Sequence, residues 1–94
     1  MKIENGVLDN TGRFFIKENN NTLAELYYVG TSTDSINITH AEVNESLEGN
    51  GVGKQLVAAA VDYARKNSFT IKATRPYAKR ILERNPEYQN IYRP

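Results

Sequence analysis

Apolar residues between positions 52 and 67 recur at helical spacing. They fall three or four positions apart, so their side chains lie along one side of a helix. The members of this stripe are Val52, Leu56, Val57, Ala60, Val61 and Ala64. The spacing predicts an amphipathic helix over residues 52–67.

The first third of the chain follows a strand pattern. Residues 13–17 and 22–29 are rich in aromatic and β-branched residues, and asparagines separate the two runs. Asparagine tolerates the left-handed backbone geometry of tight turns, so these runs predict an antiparallel hairpin. Turn residues at Asn5–Gly6 and Asn10–Gly12 bound a short segment before it.

Residues 35–43 alternate between apolar and polar side chains, which predicts a central strand. A strict two-residue period places four side chains on one face: Ile36, Ile38, His40 and Glu42. The isoleucines suit a core, so this face is expected to change from core to cleft at His40.

After the helix, residues 69–74 predict a short strand. It should run parallel to the central strand because a helix joins the two. Pro76 suits the first turn of a second helix that ends near Asn85. The remaining residues carry two tyrosines and an isoleucine and are expected to pack over the sheet.

This order predicts an α/β (α+β) fold with antiparallel N-terminal strands, one central βαβ unit and a short C-terminal helix. We expect one domain over residues 1–94, because that length suits a single small core.

Three alternating glycines, Gly49, Gly51 and Gly53, come directly before the long helix. Glycine accepts positive φ and allows close approach, so successive N–H groups can converge on one point, an arrangement called a nest. A helix N-terminus carries roughly +0.5 charge and four free N–H donors, which favours a phosphate or pyrophosphate ligand. The alternative is a glycine-rich turn that only connects a strand to a helix.

Spacing excludes two nucleotide motifs. A Walker loop needs a glycine five residues before its Gly-Lys pair and Ser or Thr after it, but Glu48 and Gln55 hold those positions. A dinucleotide fingerprint that starts at Gly49 would need its third glycine at Lys54.

Net charge and cysteine content limit the kinds of partner and site that the chain can have. Twelve basic and eleven acidic side chains leave a net charge of +1, so no overall field favours nucleic acid or an anionic membrane. The chain has no cysteine and one histidine, which excludes disulfides and argues against a metal site. With no signal-peptide core and no long apolar run, a cytoplasmic protein is expected.

Three stretches together resemble the GNAT acetyltransferase superfamily: residues 38–43, residues 48–56, and residues 75–79 continuing to 85–88. The loop is similar to the superfamily pattern Q/R-x-x-G-x-G/A, with Gly51 and Gly53 at its glycine positions. Glu48 stands where Gln or Arg is usual. The resemblance covers most of the chain and is to the small, single-domain branch.

The resemblance implies acetyl-CoA as cosubstrate. It implies that the pyrophosphate meets the loop amides and that the pantetheine arm pairs with the central strand. The implied coenzyme A contacts are Ala41, Val43, Gly49, Asn50, Gly51, Val52, Gly53 and Lys54. It also implies a V-shaped gap between the central strand and the strand ending at Thr74, with a substrate pocket at Thr74, Arg75 and Tyr77.

One departure bears on mechanism. In this branch a cysteine often stands where this chain has Arg75, and a histidine resembling His40 faces it. Without cysteine an acetyl-cysteine intermediate is impossible, so an acceptor amine must attack the thioester directly in a ternary complex. Arg75 either favours an acceptor that carries an anionic group or indicates a domain that binds acetyl-CoA without turnover.

His40 and Glu42 are the candidate catalytic bases. An imidazole of ordinary pKa near 6.5 is mostly neutral at pH 7 and can accept a proton from an ammonium group. A carboxylate of ordinary pKa near 4.3 is a weaker base unless burial raises it. The alternatives are a histidine that is hydrogen-bonded at a strand end and a solvated carboxylate.

Other side chains are less specific. Tyr77, Tyr88 and Tyr92 can each donate a proton to a leaving thiolate, but tyrosines in a small domain also serve as core or rim. Four basic residues can meet the adenosine phosphates, although charged side chains are mostly solvated: Lys54, Lys72, Lys79 and Arg80. Lys54 is the one beside the nest.

The leading hypothesis is an acetyl-CoA-dependent N-acetyltransferase that acts on a small-molecule or peptidyl amine. The second is a non-catalytic acetyl-CoA-binding sensor or interaction domain, and the third is a structural domain whose loop binds nothing. No nucleic-acid or membrane partner is expected, and the chain should be a monomer or a weak dimer.

Overall fold

Five strands form one sheet, in the order β1-β2-β3-β4-β5, in a computed structural model that describes residues 2–94. The strands are β1 (Glu4–Leu8), β2 (Thr11–Glu18), β3 (Asn21–Ser32), β4 (Ser35–Val43) and β5 (Thr70–Ala73). The first four pair antiparallel, and β5 pairs parallel to β4. The predicted mixed α/β fold is confirmed, with β1 added at the outer edge.

Two helices and two short 3₁₀ turns complete the described residues. They are α1 (Val52–Lys66), α2 (Pro76–Arg84), and the 3₁₀ turns Glu45–Leu47 and Pro86–Tyr88. The helix α1 therefore connects the parallel strands β4 and β5, as the predicted βαβ unit requires. Among residues 2–94, no helix has the length and apolar character needed to cross a membrane.

The hairpin turns depend on Asn and Asp. Asn19 and Asn20 both have positive φ (51° and 66°) between β2 and β3, and Asp9 (53°) does so between β1 and β2. Short polar side chains enter this left-handed region at lower cost than other non-glycine residues. The predicted hairpin is thus confirmed, with its turn at Asn19–Asn20.

A bulge in β4 changes which of its side chains share a face of the sheet, in contrast to the prediction. Tyr27 pairs with His40, whereas the next residue of β3, Tyr28, pairs with Ile38. Thr39 is the extra residue, and an extra residue reverses which face the following side chains occupy. His40 and Glu42 therefore do not share a face with Ile36 and Ile38, and the prediction that they do is wrong.

The face with the isoleucines forms the core. Ala41 continues it after the bulge, and the predicted stripe of α1 packs into the same cluster of buried residues. The opposite face carries the cross-strand row Arg13–Tyr27–His40, in which Tyr27 is 37% exposed. One face of the sheet is thus apolar and covered, whereas the other is polar near the end of β4.

The C-terminal residues extend the sheet rather than cover it. The N–H of Ile71 donates to Ile91 O (2.9 Å), and the N–H of Arg93 donates to Ile71 O (2.8 Å). Tyr92 forms a parallel bridge with Ile71 and is 5% exposed. The expectation that this segment packs over the sheet is therefore wrong in position, although Tyr92 does join the core.

Candidate active site

Strands β4 and β5 pair over only part of β4. The register joins residues 35–38 to residues 70–73, where β5 ends. Beyond that point, the N–H groups of Thr74 and Arg75 both point at Ile38 O, at 3.0 Å and 3.4 Å. The chain then turns away into α2, so residues 39–43 have no paired strand on the β5 side. This gap has the location that the family resemblance implies.

A cavity of about 540 Å³ opens at the gap. Its wall comes from the end of β4, the glycine loop, the start of α1 and the start of α2. The lining residues are Ala41, Glu42, Val43, Leu47, Glu48, Gly49, Gly51, Val52, Gly53, Arg75 and Tyr77. Most of the site residues predicted from the sequence therefore surround one space.

Four predicted site residues are not part of this wall: His40, Asn50, Lys54 and Thr74. Asn50 and Lys54 are exposed beside it, and Thr74 lies at the base of the gap, where its hydroxyl is 3.4 Å from Ile38 O. Leu47 and Glu48 line the cavity although they were not predicted contacts. The signal that could have found them is their position directly before the first loop glycine.

Gly49 and Gly51 have the backbone geometry that glycine permits. Their φ angles are 83° and 72°, and a Cβ at either position would meet no atom within 4 Å. The requirement at both is therefore conformational rather than steric. Gly51 is also the N-cap of α1. The loop therefore ends where the free backbone N–H groups of the helix begin.

Gly53 has a different role from the one predicted. It lies in the first turn of α1 and is buried, so it is not a positive-φ member of a loop nest. A Cβ there would lie 2.6 Å from Cε2 and 2.7 Å from Cζ of Tyr77. Gly53 is needed because the ring of Tyr77 occupies the space of a side chain.

The positive end of α1 faces the cavity, since Gly51, Val52 and Gly53 line it. No acidic residue lies in the first turn of α1, so the partial charge of the N-terminus is not neutralised from within the helix. Arg75 adds a full positive charge to the wall, while Glu42 and Glu48 add negative ones. The cavity therefore offers both an anion-binding end and carboxylates.

His40 and Glu42 interact on the polar face of the sheet. His40 Nε2 lies 3.3 Å from Glu42 Oε2, and the imidazole packs against the ring of Tyr27 with centroids 5.7 Å apart. Of the pair, only Glu42 lines the cavity. His40 therefore reaches the cavity through Glu42 and not directly.

A second groove of about 330 Å³ adjoins the cavity and shares Glu42 and Val43 with it. Beside it, ligand atoms of Glu25, His40 and Glu42 lie within 4.8 Å of one another. The Arg13 guanidinium is 3.3 Å from Glu25 Oε2 and supplies a positive charge there already. This cluster therefore has a protein cation as partner, and we assign it no metal.

Of the three candidate proton-donating tyrosines, only Tyr77 lines the cavity. Tyr92 is buried and donates to Glu83 Oε2 at 3.3 Å, and burial followed by the Glu83 charge raises its pKa. Burial also raises the pKa of Tyr88, which lies in the second 3₁₀ turn. Lys72, Lys79 and Arg80 are exposed and outside the cavity wall.

A family model described as GCN5-related N-acetyl-transferase matches residues 13–91. The chain belongs to this family. The match includes β4, the glycine loop, α1 and α2, so all the elements around the cavity lie within the GCN5-related region.

Individual relatives agree with this family. Protein NATD1 of Xenopus tropicalis is 30% identical over 66 residues, which are 70% of this chain and 59% of NATD1. The present chain thus covers less than two thirds of the length of NATD1. A GCN5-like protein of Staphylococcus aureus, solved in solution, is 39% identical, with a TM-score of 0.76 over 98% of this chain and 87% of its own.

A third match shows the fold alone. A GNAT-family acetyltransferase of Elizabethkingia anophelis, solved with acetyl-CoA bound, is 17% identical. It covers 67% of this chain and 42% of its own, with a TM-score of 0.58. The matched core is therefore less than half of the length of that acetyltransferase.

Proposed function

We propose that this protein is an N-acetyltransferase that moves the acetyl group of acetyl-CoA directly to a small-molecule or peptidyl amine. One observation carries the proposal: the unpaired end of β4 and the N-terminus of α1 border the same cavity of about 540 Å³. Residues 1–94 would form a single acetyltransferase domain. That a relative of the same fold binds acetyl-CoA supports this choice of donor.

The phosphate end of coenzyme A would meet the backbone N–H groups of residues 51–54. Asn50, also predicted from the sequence, does not offer its own N–H, because this group donates to Leu47 O (3.3 Å). The open space beside Gly49 and Gly51 supports this fit, since no atom beyond the adjacent residues lies within 4 Å of where a Cβ would be. Lys54, exposed in the first turn of α1, would add charge near the phosphates. Glu48 opposes an anion, so its carboxylate must point away from them or pair with a cation.

The backbone of Ala41 and Val43 would hold the pantetheine arm, because residues 39–43 have no strand partner on the β5 side. Unpaired strand N–H and C=O groups are well suited to bind an extended amide-containing chain. Acetyl-CoA supplies the activated acyl group as a thioester. Gly53 and Tyr77 close the other wall.

The chain has no thiol, so no cysteine can carry the acetyl group. The acceptor amine would therefore attack the thioester itself, and it would lose a proton in the cavity to become nucleophilic. Glu42, at the cavity wall, and His40, 3.3 Å from it, form the proton-accepting pair. Tyr77, which lines the cavity, would be the phenol that donates a proton to the departing thiolate.

Arg75 sets the preference among acceptors. Arg75 lines the cavity, and its positive charge would disfavour a second cationic group nearby, while an acceptor carboxylate or phosphate would pair with it. The acceptor is thus an amine that also carries an anionic group. We place the protein in the cytoplasm, without nucleic-acid or membrane partners, as a monomer or weak dimer.

The test combines binding and turnover. Calorimetric titration with acetyl-CoA should show one site per chain, and amines carrying carboxylate or phosphate groups should release thiol from acetyl-CoA faster than simple alkylamines. Arg75→Gln should reduce this difference between acceptors. No binding at millimolar acetyl-CoA would refute the proposal, and binding without turnover across a broad amine panel would refute the enzymatic part.

A further inference from the structure

Two asparagine–glycine pairs, Asn5–Gly6 and Asn50–Gly51, lie in different surroundings. An asparagine before glycine is prone to lose its amide, because the backbone nitrogen of the next residue can attack the side-chain carbonyl. Glycine has no Cβ to obstruct that attack and adopts the required backbone angles readily. Whether the reaction occurs depends on how firmly the structure holds the pair.

The first pair is held firmly. Asn5 and Gly6 are both in β1 and are paired with Phe14 and Arg13 of β2. The Asn5 side chain donates to Arg13 O (3.0 Å) and to the Tyr28 hydroxyl (3.1 Å). Attack by the Gly6 nitrogen would require both hydrogen bonds and the strand geometry to be lost.

The second pair is held loosely. Asn50 and Gly51 are exposed in the turn that leads into α1. The pair makes two backbone hydrogen bonds, from Asn50 N–H to Leu47 O (3.3 Å) and from Gln55 N–H to Gly51 O (3.1 Å). Within residues 2–94, however, the Asn50 side chain makes no hydrogen bond, and the Gly51 N–H has no backbone acceptor in the turn. Space is also open around Gly51, where a Cβ would meet no atom within 4 Å. The Asn50 side chain can therefore rotate onto the Gly51 nitrogen.

We propose that Asn50 is a deamidation site whose modification weakens coenzyme A binding. The Gly51 nitrogen forms a bond to Asn50 Cγ, and the side-chain amide nitrogen leaves as ammonia, taking the proton of the Gly51 amide. Water then opens the cyclic imide at either carbonyl. The net change is amide plus water to carboxylic acid plus ammonia, and the product is aspartate or isoaspartate at position 50.

The effect on affinity rests on the proposed function. Either product places a negative charge beside Gly49 and Gly51, at the wall proposed to receive phosphates. Isoaspartate also lengthens the backbone by one carbon, which disturbs the positive φ of Gly51. Charge repulsion over a few ångströms at a partly exposed site is enough for about a tenfold loss of affinity.

The modification is tested by ageing the full chain in mildly alkaline buffer and mapping both asparagines by peptide mass spectrometry. In the folded protein, Asn50 should lose its amide well before Asn5. In denaturant the two rates should approach each other, because both pairs then lack structure. Equal rates in the folded protein, or faster loss at Asn5, would overturn the proposed site.

The consequence is tested by calorimetric titration with coenzyme A. Asn50→Asp should bind about tenfold more weakly than Asn50→Gln, which keeps an amide but would need a larger, more slowly formed ring. Wild type should lose affinity on ageing in proportion to its modified fraction, and Asn50→Gln should not. Equal affinities of the two variants would overturn the effect.

Failure of the proposed function is distinguishable from failure at Asn50. If fresh wild-type protein binds no coenzyme A, the proposed function and the proposed effect on affinity are both refuted. The mass measurement needs no ligand, so it decides the modification site in either case.

Discussion

His40 Nε2 and Glu42 Oε2 lie 3.3 Å apart on the polar face of the sheet, yet only Glu42 lines the cavity. In the proposed function, the two residues would form a path for a proton from the cavity to an imidazole that is partly open to solvent. The carboxylate would meet the acceptor amine, and the histidine would receive its proton.

We expect His40→Ala to lower kcat by about 10²–10⁴-fold, the usual contribution of general-base catalysis, with little change in coenzyme A affinity. Glu42→Gln should lower kcat similarly, because it removes the group next to the acceptor. Steady-state kinetics and titration together separate the two effects. The double variant should lose little more than the worse single variant. Fully multiplicative losses would contradict a shared proton path.

Direct transfer makes its own kinetic prediction. Because the chain contains no cysteine, we expect both substrates to be bound together and double-reciprocal plots to intersect. The measurement varies acetyl-CoA at several fixed amine concentrations. Parallel lines with an acetylated protein that can be isolated would contradict the mechanism.

Replacing Gly51 tests the loop backbone. Gly51→Ala should cost about 1 kcal/mol of unfolding free energy, since φ is 72° and alanine is strained there. It should also weaken coenzyme A binding. Gly51→Asn is the matched control, because asparagine tolerates this geometry better, so it should lose less of both. Denaturant unfolding and calorimetry measure the two quantities. Equal losses in the two variants would show that φ is not the cause.

The close contact between Gly53 and the Tyr77 ring predicts that substitutions at these two positions have coupled effects on stability. Gly53→Ala should destabilise the fold by about 1–3 kcal/mol, because the new methyl group overlaps the Tyr77 ring. In a Tyr77→Ala background the same change should cost much less. A double-mutant cycle by denaturant unfolding measures the coupling, which is expected at about 0.5–3 kcal/mol. Additive effects on the free energy of unfolding would mean that the Tyr77 ring moves aside without destabilising the fold.

Alkaline stability depends on Tyr28. Burial raises the pKa of its phenol above the ordinary value of 10.0, against the opposing hydrogen bond from Asn5. A raised pKa in the folded state means that the unfolded chain ionises first. The stability carried by the neutral phenol is thus fully present below about pH 10 and is lost as pH rises through the folded-state pKa.

Unfolding free energy measured against pH should therefore fall in this alkaline range, and less steeply in Tyr28→Phe. Tyr27→Phe is the control, because Tyr27 occupies the exposed face of the same strand. An unchanged slope in Tyr28→Phe would assign the alkaline loss to other groups, such as Tyr88 and Tyr92.

Helix α1 was predictable because its apolar stripe is long and regular, and its start is marked by glycines. The prediction located its first residue, Val52, and differed by one residue at its end. The loop part of the cavity wall followed from the same glycines, since Gly49 and Gly51 require special backbone angles. Ala41, Val43, Arg75 and Tyr77 were named only through the family resemblance. Leu47 and Glu48 were missed because a 3₁₀ turn before the loop has no distinctive pattern of its own.

The faces of β4 were not predictable. The alternation at residues 35–43 is regular as written, and no glycine or proline marks Thr39 as an extra residue. The bulge arises from pairing with β3, a contact between distant parts of the chain. The role of Gly53 was hidden for a similar reason, because the ring that requires it belongs to α2.

The bulge at Thr39 also makes β4 unusually sensitive to small changes in its coding sequence. Loss of a single codon here would leave the reading frame intact and shorten the protein by one residue. If β4 kept its pairing with Leu26 and Tyr28, such a deletion would merely remove the bulge. If the bulge were instead retained, with His40 as the extra residue, every later side chain would change sides, so Ala41 would face the polar side and Glu42 the core. An in-frame deletion can thus have two structural outcomes, set by whether β4 loses the bulge or shifts its register after Ile38.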